Sequence, residues 1–203
     1  MPCMIPKDVI EQTIAFHGHS CPGLSIGIRA VELAVRELGR PEDIEMVAVS
    51  ETDMCGVDAI QFLTGCTYGK GNFLHRDYGK MAFSFYDRKS GKGLRLLLDP
   101  GARAGMDTEM GELMVRIADG KATDADLERL DALRAELKNR FMHMDLEEMF
   151  QITPLQCGPP RPAQILGSLV CESCGESVME SRTRRFSGKT LCIPCFAEVE
   201  QKI

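Results

Sequence analysis

The chain has 203 residues, 44% of them hydrophobic and 27% charged, which is an ordinary composition for a globular protein with one core and a small appended unit. Its net charge of −6 argues against general attraction to nucleic acid or to an anionic membrane, because both require a basic surface. The sequence has neither a signal-peptide pattern nor a run of about 18 apolar residues, so we expect a cytoplasmic protein with no membrane or nucleic-acid partner.

Helix and buried-strand patterns alternate in the first part of the chain. Residues 6–16 carry a helical apolar stripe, and Pro22 opens a second helix that runs to Gly39. Residues 44–50 are apolar on both faces, as in a central buried strand. Residues 55–63 then predict a short helix entered from that strand.

The hydrophobic period next changes from helical to alternating. Residues 81–86 and 94–98 alternate around a turn at 87–93, which predicts a hairpin. Residues 73–78 are expected to add a strand beside this hairpin.

Two helices follow the hairpin. The first begins near Asp107, and the second begins with an acidic capping box formed by Thr123 and Asp126. Their predicted apolar stripes are Met110, Leu113, Met114 and Ile117 in the first helix, and Leu127, Leu130, Leu133, Leu137 and Phe141 in the second. Together these elements predict an α+β fold in which an antiparallel-rich sheet packs against helices.

Four cysteines near the C-terminus have the spacing of a structural zinc site. They form two Cys-x2-Cys pairs separated by seventeen residues: Cys171, Cys174, Cys192 and Cys195. Four thiolates fill the tetrahedral shell of one zinc ion, so such a site stabilises a fold and leaves no position for chemistry. We therefore expect a core domain at 1–156, a proline-rich linker at 157–164 and a zinc-finger domain at 165–203.

This finger resembles the C-terminal finger of the DksA/TraR transcription factors and has the knuckle, hairpin and helix of a treble clef. The resemblance covers only the last thirty-odd residues and implies contact with nucleic acid or RNA polymerase. Residues 171–203 hold five basic and five acidic side chains, whereas phosphate binding needs a basic excess. We therefore expect an interaction module, and a DksA/TraR-like regulator is the alternative function.

A second group of His and Cys residues lies in two tight turns of the core domain. His17, His19 and Cys21 fall between the first two predicted helices, and Cys55 begins the short helix. Singly, such residues are more often carbonyl-bonded histidines or small core cysteines. Their coincidence in glycine-bearing turns favours ligands or nucleophiles instead. We expect these four residues to hold zinc or another transition metal, with Cys55 and His17 as the catalytic candidates.

A glycine-rich turn at 64–72 indicates a site for an anion. Its backbone can approach a ligand closely, and Lys70 offers a counter-charge. Cys66, Thr67 and Lys70 are therefore the expected cofactor-binding residues. The alternative for Lys70 is a solvated turn lysine.

Three motifs in this order resemble the FmdE family, which takes its name from molybdenum formylmethanofuran dehydrogenase. They are His17-Gly-His-Ser-Cys-Pro-Gly23, Cys55-Gly-Val-Asp58-Ala-Ile-Gln61 and Thr64-Gly-Cys66-Thr67-Tyr-Gly-Lys70-Gly-Asn72. The resemblance implies an α+β core with a metal-capable cleft lined by these His and Cys residues, a homodimer, and an accessory zinc domain. The link to a molybdenum enzyme adds a pterin-type cofactor as a candidate.

The expected function is that of a metal-binding FmdE-like protein, accessory to or resembling a subunit of formylmethanofuran dehydrogenase, with a cleft for metal and an anionic ligand. An enzyme is expected to have an incomplete metal shell with an exchangeable water. An accessory protein that binds a partner subunit is expected to have a filled one.

Overall fold

The protein forms two compact units. A computed structural model describes residues 2–200, and within them one unit ends at Pro162 and the other begins at Ala163. All nine cysteines are free thiols. In this described part of the chain, no helix combines the length and the apolarity needed to cross a bilayer.

The first unit is a five-stranded sheet with helices packed against it. Its elements in chain order are α1 (Lys7–His17), α2 (Pro22–Leu38), β1 (Met46–Ser50), α3 (Gly56–Thr64), β2 (Phe73–His75), β3 (Ala82–Asp87), β4 (Gly93–Leu98), α4 (Met106–Ala118), α5 (Asp124–His143), α6 (Leu146–Met149) and β5 (Phe150–Pro154). The strand order is β2-β1-β3-β4-β5, and only the β1–β2 pair is parallel. The predicted α+β class with an antiparallel-rich sheet is confirmed.

The main core lies where the sheet meets α2. Phe83 and Phe85 of β3 and Leu96 of β4 are fully buried in one cluster with Leu33 of α2. The β3–β4 register places Phe83 opposite Leu96. Each such side chain contributes about 1.5–3 kcal/mol on burial, so this cluster is the main attachment between α2 and the hairpin.

Helices α2 and α3 touch through their backbones. A Cβ added at Gly27 would lie 2.2 Å from the carbonyl oxygen of Gly56, and one added at Gly56 would lie 3.0 Å from the amide nitrogen of Gly27. These two glycines therefore set the distance between the helices, because no side chain fits between them. The N-caps of the two helices, Cys21 and Cys55, are held side by side as a result.

Two strands differ from the sequence-based expectation. The predicted strand at 73–78 is short and pairs in parallel with β1, so β1 separates it from the hairpin that it was expected to join. Strand β5 was not predicted, and it pairs with β4 at the sheet edge. Only Phe150 of its five residues is buried, so the strand carries no alternating signal.

The two later helices follow the prediction, but with narrower buried stripes. The capping box of Thr123 and Asp126 is confirmed. In α4 only Leu113 is buried, and it packs with buried leucines of α5. Met114 is 53% exposed and Leu127 is 46% exposed, so the buried stripe of each helix is narrower than its apolar stripe. A helix that packs mainly against one neighbour needs only a narrow apolar stripe.

The second unit is small and is built around cysteines. It contains β6 (Ser168–Val170), β7 (Ser177–Met179), β8 (Thr183–Phe186), β9 (Lys189–Cys192) and α7 (Ile193–Ala197), with the strands paired as β6–β7 and β8–β9. Its buried cluster consists of Cys171, Leu191 and Cys192. So few buried apolar groups give little stabilisation, and a structural metal is the usual compensation in a unit of this size.

Candidate metal centre

The turn between α1 and α2 supplies three of the candidate ligands. Helix α1 ends at His17 because Gly18 adopts a left-handed conformation with φ of 93°. Helix α2 begins after Cys21, whose sulfur accepts a hydrogen bond of 3.3 Å from the amide of Leu24. His19 stands between them, with its ring centroid 4.5 Å from that of His17. The end of one helix and the cap of the next thus place the histidines and the thiol together.

Cys55 completes the group from the N-terminus of α3. The candidate ligand atoms all lie within 4.8 Å of one another, and they come from His17, His19, Cys21 and Cys55. Two imidazole nitrogens and two sulfurs are donors that zinc accepts, at about 2.0–2.3 Å in tetrahedral sites. The chemistry and the spread of these atoms fit one ion of the zinc class.

Asp58 orients the His17 ring. Its Oδ2 lies 2.7 Å from Nδ1 of His17, and a carboxylate at this position accepts the Nδ1 proton. The other ring nitrogen, Nε2, is then free to act as a ligand, and it lies 3.9 Å from the sulfur of Cys21. Sequence reasoning missed Asp58. The available signal was its position three residues after Cys55, which places both on one face of α3.

The Cys55 thiol is harder to ionise than an ordinary cysteine. Burial raises the pKa of the Cys55 thiol, and its hydrogen bond with the Cys21 thiol raises that pKa further. Two adjacent thiolates repel, and a cation between them removes the repulsion. The pair is therefore better suited to sharing a metal ion than to acting as two independent nucleophiles.

Two cavities open beside this cluster. The larger has a volume of about 640 Å³ and is lined by His19, Cys21 and Cys55. The smaller has a volume of about 470 Å³ and is lined by His17, Asp58 and Cys55. Because Cys55 lines both cavities, a group bound at the cluster can be reached from either side.

The residues expected to bind a cofactor are not brought into this cluster. Cys66 is fully buried, its thiol lies 3.3 Å from the carbonyl oxygen of Met46, and burial raises its pKa. The Lys70 ammonium donates to a carbonyl of its own turn at 3.0 Å. Neither these two residues nor Thr67 line the two cavities. Within the cleft, positive charge comes instead from Arg103, Arg134 and Lys138, which the sequence did not single out.

The four cysteines of the second unit form a separate cluster. The sulfur atoms of Cys171, Cys174, Cys192 and Cys195 all lie within 4.8 Å of one another. Backbone amides, that of Cys174 foremost, lower the pKa of Cys171 to about 6. The hydrogen bond with the Cys192 thiol raises the pKa of Cys195 to about 12, because a second thiolate beside the first is unfavourable. Four thiols so arranged are suited to a divalent ion that neutralises them.

An α+β domain with a His/Cys cleft, followed by a four-cysteine finger, defines a metal-binding class of protein. The chain belongs to the FmdE family, because the family described as "FmdE, Molybdenum formylmethanofuran dehydrogenase operon" matches its residues 16–151. The description "Prokaryotic dksA/traR C4-type zinc finger" matches residues 164–201. Both resemblances noted in the sequence are confirmed, and the cysteine cluster with this finger indicates structural zinc in the second unit.

Two similar proteins extend this comparison. The chain is 30% identical over 188 residues to a protein of Archaeoglobus fulgidus named "Probable S-adenosyl-L-methionine-binding protein", and the match covers 89% of this chain and 50% of that protein. The chain thus spans about half the length of that curated relative. The crystal structure of a tungsten formylmethanofuran dehydrogenase FmdE-like protein from Syntrophus aciditrophicus is similar with a TM-score of 0.60 and 27% identity, covering 95% of this chain and 92% of that chain.

Proposed function

We propose that the first unit binds one zinc-class ion through His17, His19, Cys21 and Cys55 and presents it to a small molecule in the cleft. The observation that carries the proposal is the convergence of these ligand atoms within 4.8 Å at a place where two cavities meet. A purely structural site has no need of such access, whereas a site for binding or converting a ligand requires it.

Unequal support of the four ligands favours an exchangeable position on the ion. His17 is held by Asp58, and Cys21 is held by the amide of Leu24. His19 is exposed, and within residues 2–200 no hydrogen bond holds its ring. Cys55 is placed by the start of α3 and shares a hydrogen bond with the Cys21 thiol. Three ligands positioned by their surroundings and one exposed ligand resemble catalytic zinc sites, in which three protein ligands leave one position exchangeable. When bound there, the ion would supply Lewis acidity, and the chain would supply orientation through Asp58 and the caps of α2 and α3.

Metal analysis of single-cysteine variants tests this proposal. We expect two metal equivalents per chain in the wild type, one in Cys55→Ala and one in Cys174→Ser, because the two sites use separate ligands. Cys157→Ser is the matched control, since Cys157 is exposed and belongs to neither cluster. Retention of two equivalents in Cys55→Ala would contradict the core site.

Histidine variants test the exchangeable position. We expect His17→Ala to lose the core ion, whereas His19→Ala keeps it with a new solvent ligand. The spectrum of the cobalt-substituted protein reports the change in ligand set. Equal loss of metal in both variants would show that the four ligands form one closed shell.

The link of the family to a molybdenum dehydrogenase operon favours association with a partner subunit, and a closed metal shell in the histidine test would favour an accessory role over catalysis. We propose that the protein acts in the cytoplasm, as a homodimer, with a metalloenzyme of the formylmethanofuran dehydrogenase type. Candidate ligands for the cleft are S-adenosylmethionine, after the name of the relative, and a pterin-type cofactor, after the molybdenum enzyme. Light scattering at micromolar concentration tests the dimer, and a monomeric mass would contradict it.

The second candidate function is a regulator that acts through its finger. The match of residues 164–201 to a DksA/TraR-type finger favours it, although the equal count of acidic and basic side chains gives no general attraction to phosphate. Binding of the full chain to RNA polymerase tests this candidate. If Cys174→Ser abolished the binding and Cys55→Ala retained it, the finger rather than the cleft would be the functional site.

A further inference from the structure

We propose that the larger cavity beside the candidate metal centre binds a small organic anion, with a carboxylate or phosphate at one end and an apolar body. The cavity volume of about 640 Å³ is within the range of small-molecule sites. The role of this ligand rests on the proposed function, since its far end would meet the metal. Its binding requires only the cavity.

Uncompensated positive charge is the first observation. Arg103 lies at the end of the turn Pro100–Arg103, and Arg134 and Lys138 lie one helical turn apart on α5. Within residues 2–200, the side chains of Arg103 and Lys138 have neither an ion pair nor a hydrogen bond, and both residues are half-buried. Arg134 pairs with Asp131 at 3.2 Å, so one carboxylate faces three cations.

Two half-buried cations without partners favour an anion in the cavity that both of them line. Partial removal from water weakens the hydration of a charged group, and a counter-ion restores the lost interaction. A guanidinium can donate two parallel hydrogen bonds to a carboxylate or phosphate, and the ammonium adds a third donor. The pair is therefore a receptor for an acidic group rather than for a neutral one.

Helix α2, whose N-cap is Cys21, adds to the positive electrostatic potential in the cavity. Ser20, Cys21, Pro22 and Gly23 line the cavity at the N-terminus of α2, a helix of 17 residues. The positive end of the helix dipole thus faces the cavity that the cations line. Both contributions have the same sign, and both favour an acidic group on the part of the ligand that lies beside them.

A methionine-rich wall is the second, independent observation. Four methionines line the cavity: Met54, Met81, Met110 and Met114. Leu137 and Phe141 of α5 complete its apolar side. Thioether side chains adapt their shape to an apolar partner, so they accommodate a carbon skeleton or a ring. An inorganic anion would leave this wall unused, which is why the ligand is assigned an organic body.

The position of the cluster gives the ligand an orientation. His19, Cys21 and Cys55 line the same cavity as the cations. We therefore place the acidic group of the ligand at Arg103 and Lys138, its apolar body against the methionines and its far end at the cluster, since all of these line one cavity. This makes the two cations specificity residues for the cleft, not metal ligands.

Matched probes test the proposal on the full-length metal-loaded chain by titration calorimetry. Phenylbutyrate and phenyl phosphate carry a ring and an acidic group, and phenylbutanol carries the ring without charge. We expect at least one anion to bind about 10-fold or more tightly than the alcohol, as charged hydrogen bonds predict. The tighter anion distinguishes a carboxylate ligand from a phosphate ligand. Equal affinity for the alcohol, or equal affinity for inorganic phosphate alone, would overturn the proposal.

Variants assign the effect to the named residues. Arg103→Gln with Lys138→Gln should reduce anion affinity to that of the alcohol, whereas Lys92→Gln in the distant β3–β4 turn should leave it unchanged. Met114→Glu adds a negative charge at a half-exposed site on the wall and should weaken the anions but not the alcohol. If anion affinity were unchanged in Arg103→Gln with Lys138→Gln and also in Met114→Glu, these residues would not form the anion site.

Metal content measured on the same samples separates this proposal from the proposed function. Wild-type protein that lacks the core ion but still binds the anion would overturn the core metal site and support the cavity. Protein that holds both metal ions but binds no anion would support the core metal site and overturn the proposal for the cavity. Metal content unchanged in Arg103→Gln with Lys138→Gln is the expected result, because neither residue belongs to the ligand cluster.

Discussion

Replacing Gly27 by alanine should separate α2 from α3 and weaken the core metal site. The new Cβ would lie 2.2 Å from the Gly56 carbonyl oxygen, whereas ordinary contacts begin at 3.4 Å, so the backbones must part by about 1 Å. Overpacking of this kind costs about 1–3 kcal/mol, and the better helix propensity of alanine returns up to about 1 kcal/mol. We expect a net loss of about 1–2 kcal/mol in the free energy of unfolding.

Urea denaturation of the first unit and metal analysis of the same samples measure both effects. Gly111→Ala is the matched control, because Gly111 is a helical glycine of α4 with no atom within 4 Å of an added Cβ. That variant should gain about 0.5–1 kcal/mol and keep its metal. If Gly27→Ala had the stability and the metal content of the wild type, the glycine contact would not be what positions Cys21 against Cys55.

Three further predictions concern single carboxylates and thiols. Asp58→Asn should weaken core metal binding by about 10–100-fold in competition with a chelator, since His17 loses the acceptor that fixes its tautomer. Cys174→Ser should make the second unit sensitive to protease while the first unit still unfolds cooperatively, because the finger has little core of its own. The Ser90 side chain, followed by backbone amides, lowers the pKa of Asp87 from 3.8 to about 2, so its stabilisation is complete above the unfolded value and is lost as the pH falls toward 2. Urea denaturation between pH 5 and pH 2 should therefore show a smaller loss of stability in Asp87→Asn than in the wild type.

The parts of the fold that could be predicted are those in which local chemistry and tertiary contact agree. The capping box at Thr123 and Asp126 is a local feature, and it forms as the sequence indicates. The β3–β4 hairpin is likewise visible in the sequence, because residue types alternate along both strands, although β3 is buried at every position and only β4 alternates in burial. Strand β5 has only Phe150 buried, and it exists because the edge of β4 offers hydrogen bonds that no local pattern reveals.

The candidate site divides in the same way. The four candidate ligands lie in short motifs, so their residue types and turns could be recognised along the chain. Asp58 and the cations acquire their roles only from which side chain they face after folding. Cys66 shows the opposite case. A cofactor-binding role was predicted for it because it lies in a glycine-rich turn, but its side chain is fully buried in the core. A motif identifies what a residue can do, and burial decides whether a ligand can reach it.

The two halves of the cleft come from separate parts of the chain, and this gives them separate evolutionary freedom. The candidate metal ligands lie between His17 and Cys55, whereas the cations and most of the methionine wall lie between Met81 and Lys138. Substitutions in α4 and α5 can therefore change the shape and charge of the ligand cavity without altering a metal ligand. The wall that would select the small molecule is thus separate in sequence from the residues that would hold the metal.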